Sequence, residues 1–367
     1  MVKSKLFSKI KYVVFRLLPR RWREGLLRWI VKTRYKSPPL IFPWDCSAMK
    51  KVLTILPEDP IEAFHQINNF LRISALFKNA SFTVFCTREV APFFKLVHPE
   101  AVFVEYEGKS RALFSKEFDA WGREFSGEEF GLCLMLERRP DISLLYLAGK
   151  TAAPVRAGYF GAGEFPFLNM QVNPSPKRPY RADQNALMAN VFGASDRIKV
   201  RWSVSKETTD EIAHMARELA VSPDARIIGV DVGLFVPAFG AEWTRQLCAA
   251  LSTNTTVTCL LVEGEPSEEV SGFCASVKSP LFSNLSASRW AAIIVRSACI
   301  ISGKSVLFEL ANLLGKPVVG VFEKDLCDRY CRECATTWGI PLSRSPGQDT
   351  IQSIADAMRT MDGKGKM

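Results

Sequence analysis

The sequence predicts an α/β protein made of two doubly wound, Rossmann-like domains facing each other across a cleft, and three observations carry that expectation. The chain has 367 residues, 47% of them hydrophobic, which is material for two cores rather than one. Short apolar runs alternate with helix-length stretches over most of its length, the rhythm of a parallel sheet covered on both faces. That rhythm breaks once, at the proline-rich "MQVNPSPKRPYRADQ", and then restarts. The expected division is an arm over residues 1–45, a first domain over 46–175, a linker with helices over 176–222 and a second domain over 223–367.

In the first domain, residues 50–56, 81–86, 101–106, 131–136 and 155–160 read as strands rich in Val, Phe and Leu, with helical periodicity over 61–77 between the first two. A helix over 206–220 follows the linker, with Ser205 placed to cap it. The second domain repeats the pattern with strands at 225–233, 256–264, 279–285, 299–303 and 317–322, and helices at 241–251, 266–277, 287–296 and 305–314. Ligands of such sheets bind beyond the carboxyl ends of the strands. Functional residues are therefore expected in the loops that follow them.

The net charge of +10 is concentrated at one end. Met1–Lys36 holds 12 of the 48 Lys and Arg but only one of the 38 acids, Glu24, which leaves 36 basic against 37 acidic residues for the rest. A neutral body with a basic arm argues against a nucleic-acid-binding domain. The arm places Leu6, Ile10, Val13, Val14 and Leu17 at helical spacing, and Pro19 opens a second piece with Trp22, Leu26, Trp29 and Ile30. No apolar run approaches the length of a membrane span. A basic, Trp-bearing amphipathic helix suits an anionic membrane surface, and residues 1–36 are assigned that partner, with docking on the protein's own body as the rival reading. The expected location is cytoplasmic, peripheral to an inner membrane.

Ten scattered cysteines fit a reducing compartment. Cys327, Cys331 and Cys334 have the spacing of an iron-sulfur motif but stand near the C-terminus, outside the barrel such a site needs, so thiols without a cluster are expected. His65, His98 and His214 share no spacing, and no metal site is expected.

The most informative stretch is "SGKSVLFELANLLGKPVVGVF", Ser302 to Phe322. It is not a phosphate loop of the triphosphatase kind, because the position that must be glycine, five residues before Gly303, is Ala298. Ser302, Gly303 and Ser305 at a helix start could offer N–H groups to a diphosphate, with Lys304 adding charge. Glu309, one turn further on, could accept two ribose hydroxyls; the same residues also suit an ordinary helix start. In "VLTILPEDP", Asp59 stands at a strand's carboxyl end, where it could take a proton or simply cap a helix.

This stretch resembles the nucleotide-sugar site of GT-B glycosyltransferases, and the chain from Lys50 to Met358 resembles glycosyltransferase family 9, the ADP-heptose:lipopolysaccharide heptosyltransferases. The Gly-Lys-Pro register sets Lys304, Ser305, Val306 and Glu309 against the family's Asp, Thr, Gly and His. "VRAGYF" matches its Arg-x-Gly element. Glu58 replaces a glycine, and "VDVGLFVPAFGAEWTRQL" has no basic residue before Arg245 where the family carries one for the diphosphate. The resemblance implies inverting, metal-independent sugar transfer without a cofactor, from a nucleotide-diphosphate donor to a lipid-linked glycan such as lipopolysaccharide. It makes Asp59 the general base and assigns the donor to Ser302, Gly303, Lys304, Ser305 and Glu309. A GT-B-shaped scaffold without catalysis and a nucleotide-sugar epimerase are the alternatives.

Overall fold

The computed structural model describes residues 19–34, 49–107, 113, 115–161, 164–174, 180–194, 200, 202, 204–252, 256–332, 334, 336–342 and 346–364. The first half of the arm, with Leu6 to Leu17, and Cys46 lie outside the described residues.

Lobe one is a six-stranded parallel sheet in the order β3-β2-β1-β4-β5-β6, formed by β1 (Lys51–Ile55), β2 (Ser81–Thr87), β3 (Val102–Tyr106), β4 (Leu132–Met135), β5 (Val155–Tyr159) and β6 (Met170–Val172). Its helices are α2 (Pro60–Leu76), α3 (Ala91–Val97), α4 (Lys116–Gly127) and α5 (Ile142–Lys150). Apart from Lys51, β1 is wholly buried, and all of β4 is, which is why their sequences read as continuous apolar runs. Strand order reverses between β1 and β4, so a crevice opens beyond their carboxyl ends.

Lobe two repeats the plan in the order β12-β11-β10-β7-β8-β9. Its strands are β7 (Arg226–Asp231), β8 (Thr256–Val262), β9 (Leu281–Ser283), β10 (Cys299–Ser302), β11 (Val318–Glu323) and β12 (Thr337–Leu342), all parallel. The helices are α8 (Val232–Phe239), α9 (Ala241–Leu251), α10 (Glu268–Ser276), α11 (Ala287–Arg296), α12 (Val306–Leu313), α13 (Lys324–Tyr330) and α14 (Gln348–Lys364). Here the reversal falls between β7 and β10. The expected strand at 225–233 runs two residues too far at its carboxyl end, because Asp231 accepts the Leu234 N–H and starts α8 immediately. Sequence reading also passed over β6, β12 and the helices α8, α13 and α14.

The linker helices part company. Helix α6 (Arg181–Val191) packs on α2 in lobe one, while α7 (Lys206–Glu218) packs on α11 in lobe two. Between the lobes α2 lies against α12 and α3 against α11, and one hydrophobic cluster runs through both, from Phe64 and Ile67 to Leu307 and Phe308.

Helix α1 (Arg20–Arg34) docks on the body, as the rival reading of the arm has it: Leu27 and Val31 are buried against α5, with Val31 close to Gly149. The expected apolar face nevertheless stays open, with Trp22 71% and Trp29 62% exposed. No helix among the described residues is long and apolar enough to cross a membrane.

Candidate functional site

At the carboxyl edge of lobe two, β10 ends on the fully buried Ser302, whose hydroxyl donates to Asp231 Oδ2 at 2.6 Å and lies 2.6 Å from the Ser305 hydroxyl. Ser305 caps α12 by accepting the Phe308 N–H at 3.3 Å. The Glu263 carboxylate, at the end of β8, accepts the Leu307 N–H at 3.0 Å. The helix start expected to receive a diphosphate is thus already supplied with acceptors from the protein itself. Gly303 is required, since a Cβ there would sit 2.7 Å from Leu234 Cδ2 and 2.8 Å from the Val321 carbonyl.

A cavity of about 340 Å³ opens on this edge, lined by Asp231, Leu234, Glu263, Glu265 and Lys304, and by Ile61 from lobe one. Lys304 is the one basic residue among the described residues lining it. Burial pushes the Asp231 carboxyl up against the pull of its hydroxyl and Leu234 N–H donors. Glu263, its carboxylate tucked under α12 while the rest of the residue is open, is pushed up to about 7 by desolvation and by the Asp231 charge.

The two lobes are joined by a polar network along α2. Glu309, expected to face the cleft, is 3% exposed and pairs with His65 of lobe one, Oε1 to Nε2 at 3.1 Å. Burial works against a charge on His65, but the Glu309 carboxylate, with help from Glu62, outweighs it and raises the imidazole above its ordinary value. One turn earlier, Glu62 Oε1 accepts from Arg181 Nε and from the Tyr330 hydroxyl, each at 3.1 Å. Lys304 Nζ stands 5.0 Å from the Tyr330 ring centroid, and Arg332 bridges to Asp183.

Asp59 is exposed and caps α2, its Oδ1 accepting the Ile61 and Glu62 N–H groups at 2.9 and 3.3 Å. The capped turn divides two cavities. Ile61 lines the lobe-two cavity, and Glu62 lines a cavity of about 560 Å³ on lobe one, beyond the ends of β1, β4 and β5. Its other lining residues include Glu137, Arg138, Arg139, Tyr159, Glu164 and Arg181.

Lys304 and Ser305 line the lobe-two cavity together with Ile61, while Asp59 lines neither cavity and Glu309 lies in the packed interface. Asp231, Glu263, His65, Tyr330, Arg138 and Glu164 are polar residues of this region that sequence reasoning missed. For His65 a signal existed: His65, Asn69 and Arg72, at helical spacing, form a polar stripe on an otherwise apolar helix, and all three are buried. Near Tyr330, the Cys327 and Cys331 sulfurs both converge on Gly339, where a Cβ would meet them at 2.7 and 2.9 Å. Among the described residues no three His, Cys, Asp or Glu side chains are grouped to hold a metal ion.

No family model matches the sequence, and no curated protein does. Solved structures do. The glycosyl transferase family 9 protein from Veillonella parvula superposes with a TM-score of 0.71 at 14% identity, over 85% of this chain and 97% of its own. The E. coli ADP-heptose lps heptosyltransferase II gives 0.68 at 15% identity, over 86% and 100%. E. coli heptosyltransferase WaaC with ADP-2-deoxy-2-fluoro heptose gives 0.61 at 11% identity, over 84% and 99%. The architecture is that of the two-lobed GT-B glycosyltransferases. Within that class the chain is similar in fold to the glycosyltransferase family 9 heptosyltransferases, as the expected cleft between two doubly wound domains required.

Proposed function

We propose that the protein transfers a sugar, heptose-like in the reading the resemblance gives, from a nucleotide-diphosphate donor to a hydroxyl of an envelope glycan such as lipopolysaccharide. The observation that carries this is the placement of two cavities, one on each carboxyl edge, lined by the adjacent residues 61 and 62 of the helix that Asp59 caps. The lobe-two cavity would take the donor, with Lys304 near its diphosphate, and the lobe-one cavity would take the acceptor. Asp59 would accept the acceptor hydroxyl's proton as its oxygen displaces the diphosphate with inversion, the leaving charge being held by Lys304. No metal or cofactor enters this scheme. Ribose binding by Glu309 would require His65 to release it. Helix α1, with Trp22 and Trp29 outward among Arg21, Arg28 and Lys32, would hold the cleft at an anionic inner-membrane surface on its cytoplasmic side.

A second reading, a GT-B-shaped scaffold without catalysis, is favoured by one observation: Asp231, Glu263 and Glu265 line the cavity where a diphosphate would lie, and their charge opposes it. Thermal shift with a panel of nucleotide diphosphate sugars tests the donor assignment. At least one should raise the melting temperature in a concentration-dependent way, because a ligand of the folded state alone stabilises it. A flat response across the panel would remove the donor assignment.

A further inference from the structure

The lobe-one cavity contains an acid that neither the fold nor the expected donor site explains. Glu164 is only 6% exposed, and its Oε2 is buried without a hydrogen-bond partner, although it lines this 560 Å³ space. Its other oxygen lies against Gly161, where a Cβ would come within 2.1 Å of Oε1, so only glycine permits this placement. Burial raises the carboxyl to about 7, while the Gly161 N–H pulls it down. Buried polar atoms are nearly always satisfied, so an unpartnered carboxylate oxygen on a cavity-lining residue points to a ligand atom as its partner. A hydroxyl suits that oxygen in either protonation state, because it can both donate and accept.

The cavity's lining also includes positive charge. The Arg138 guanidinium is held by Gln184 Oε1 and by the Tyr159 ring, 5.5 Å from its centroid, and Arg139 is exposed beside it. Neither forms an ion pair with a carboxylate among the described residues, whereas Arg181 is paired with Glu62. Burial also raises Glu137, whose carboxylate accepts the Arg139 N–H.

We propose that Glu164 is a ligand-binding residue of this cavity, taking a hydroxyl of a polyhydroxylated ligand whose carboxylate or phosphate is held by Arg138 and Arg139. This rests on the cavity's role as the acceptor side of sugar transfer, and it adds to that role a residue that reads a hydroxyl away from the transferring one.

The test uses the full-length chain and D-glucuronate, a sugar acid that stays charged from pH 6 to 8, with acetate as the anion lacking hydroxyls. Ligand-observed NMR titration of the wild type should show glucuronate binding about tenfold tighter than acetate, since the hydroxyl contact is an added hydrogen bond to an acid. Glu164→Ala should lose that advantage and leave acetate unchanged. Arg138→Ala should weaken both. Glu164→Gln keeps the shape and can still bond a hydroxyl, which guards against loss of fold. Wild-type affinity should rise from pH 6 to pH 8 as Glu164 becomes charged, and in Glu164→Gln it should not. Equal affinity for the two probes, an unaltered preference in Glu164→Ala, or the same pH response in Glu164→Gln would each overturn the proposal. Nucleotide-sugar binding on lobe two is measured separately, so either assignment can fail while the other stands.

Discussion

Lys304 stands where two demands meet. Its ammonium lies over the Tyr330 ring and lines a cavity otherwise edged by carboxylates, so it is the group able to draw a diphosphate in. Replacing it with Ala should weaken nucleotide-diphosphate binding about tenfold, as expected for loss of one charge-assisted contact; unchanged affinity in a calorimetric titration would remove it from the site. The residue's position was legible, because a Lys at a strand's carboxyl end before a helix is visible in sequence. Its surroundings were not. Asp231 and Glu263 come from two other strands, and Glu309 meets His65 from the other lobe, pairings that depend on tertiary packing rather than spacing. The capping role of Asp59 was legible, since Pro60 and the following apolar periodicity announce a capped helix start.

At the scale of elements, α2 is the joint of the molecule. It carries Glu62, His65, Asn69 and Arg72 to partners on α6, α12 and α13, and so ties lobe one to lobe two. Because His65 is raised above its ordinary 6.5, its pair with Glu309 stabilises the joined lobes fully below that value. That contribution is lost as pH rises through the higher folded value. The raised Asp231 and Glu263 act in the same direction. Melting temperature should therefore fall between pH 6 and pH 8, and His65→Gln should flatten part of that fall; an unchanged slope would show that the pair does not report on pH. Helix α1 makes a different prediction. Its Leu27 and Val31 are engaged with α5, but Trp22 and Trp29 are free to enter a headgroup layer. The intact protein should sediment with anionic vesicles in a salt-sensitive way, and Trp22→Ala with Trp29→Ala should abolish it. Equal sedimentation of the double variant would assign α1 to docking alone. The arm's sequence showed one amphipathic face where the folded helix uses two, because docking took a pair of residues outside the obvious apolar stripe.

For the whole molecule, the two sheets were readable because their central strands are buried on both faces and carry unbroken apolar runs. The three-residue β6 and the only partly buried edge strand β12 lack that signal, and α8 was hidden in an apolar stretch that continues β7 without a break. What spacing could not reveal was how tightly the lobes close, with a shared apolar cluster and a buried ion pair between them. The account stands on the start of α2, where residues 61 and 62 line the two cavities, being a place of chemistry. Its most direct test is acceptor-dependent release of nucleoside diphosphate from a nucleotide sugar in the presence of an envelope glycan extract, comparing wild type with Asp59→Asn. Asn caps a helix as well as Asp does, so the variant should melt as the wild type does. Release by the wild type and its loss in that intact variant is the predicted result; no release by the wild type, or undiminished release by the variant, would contradict it.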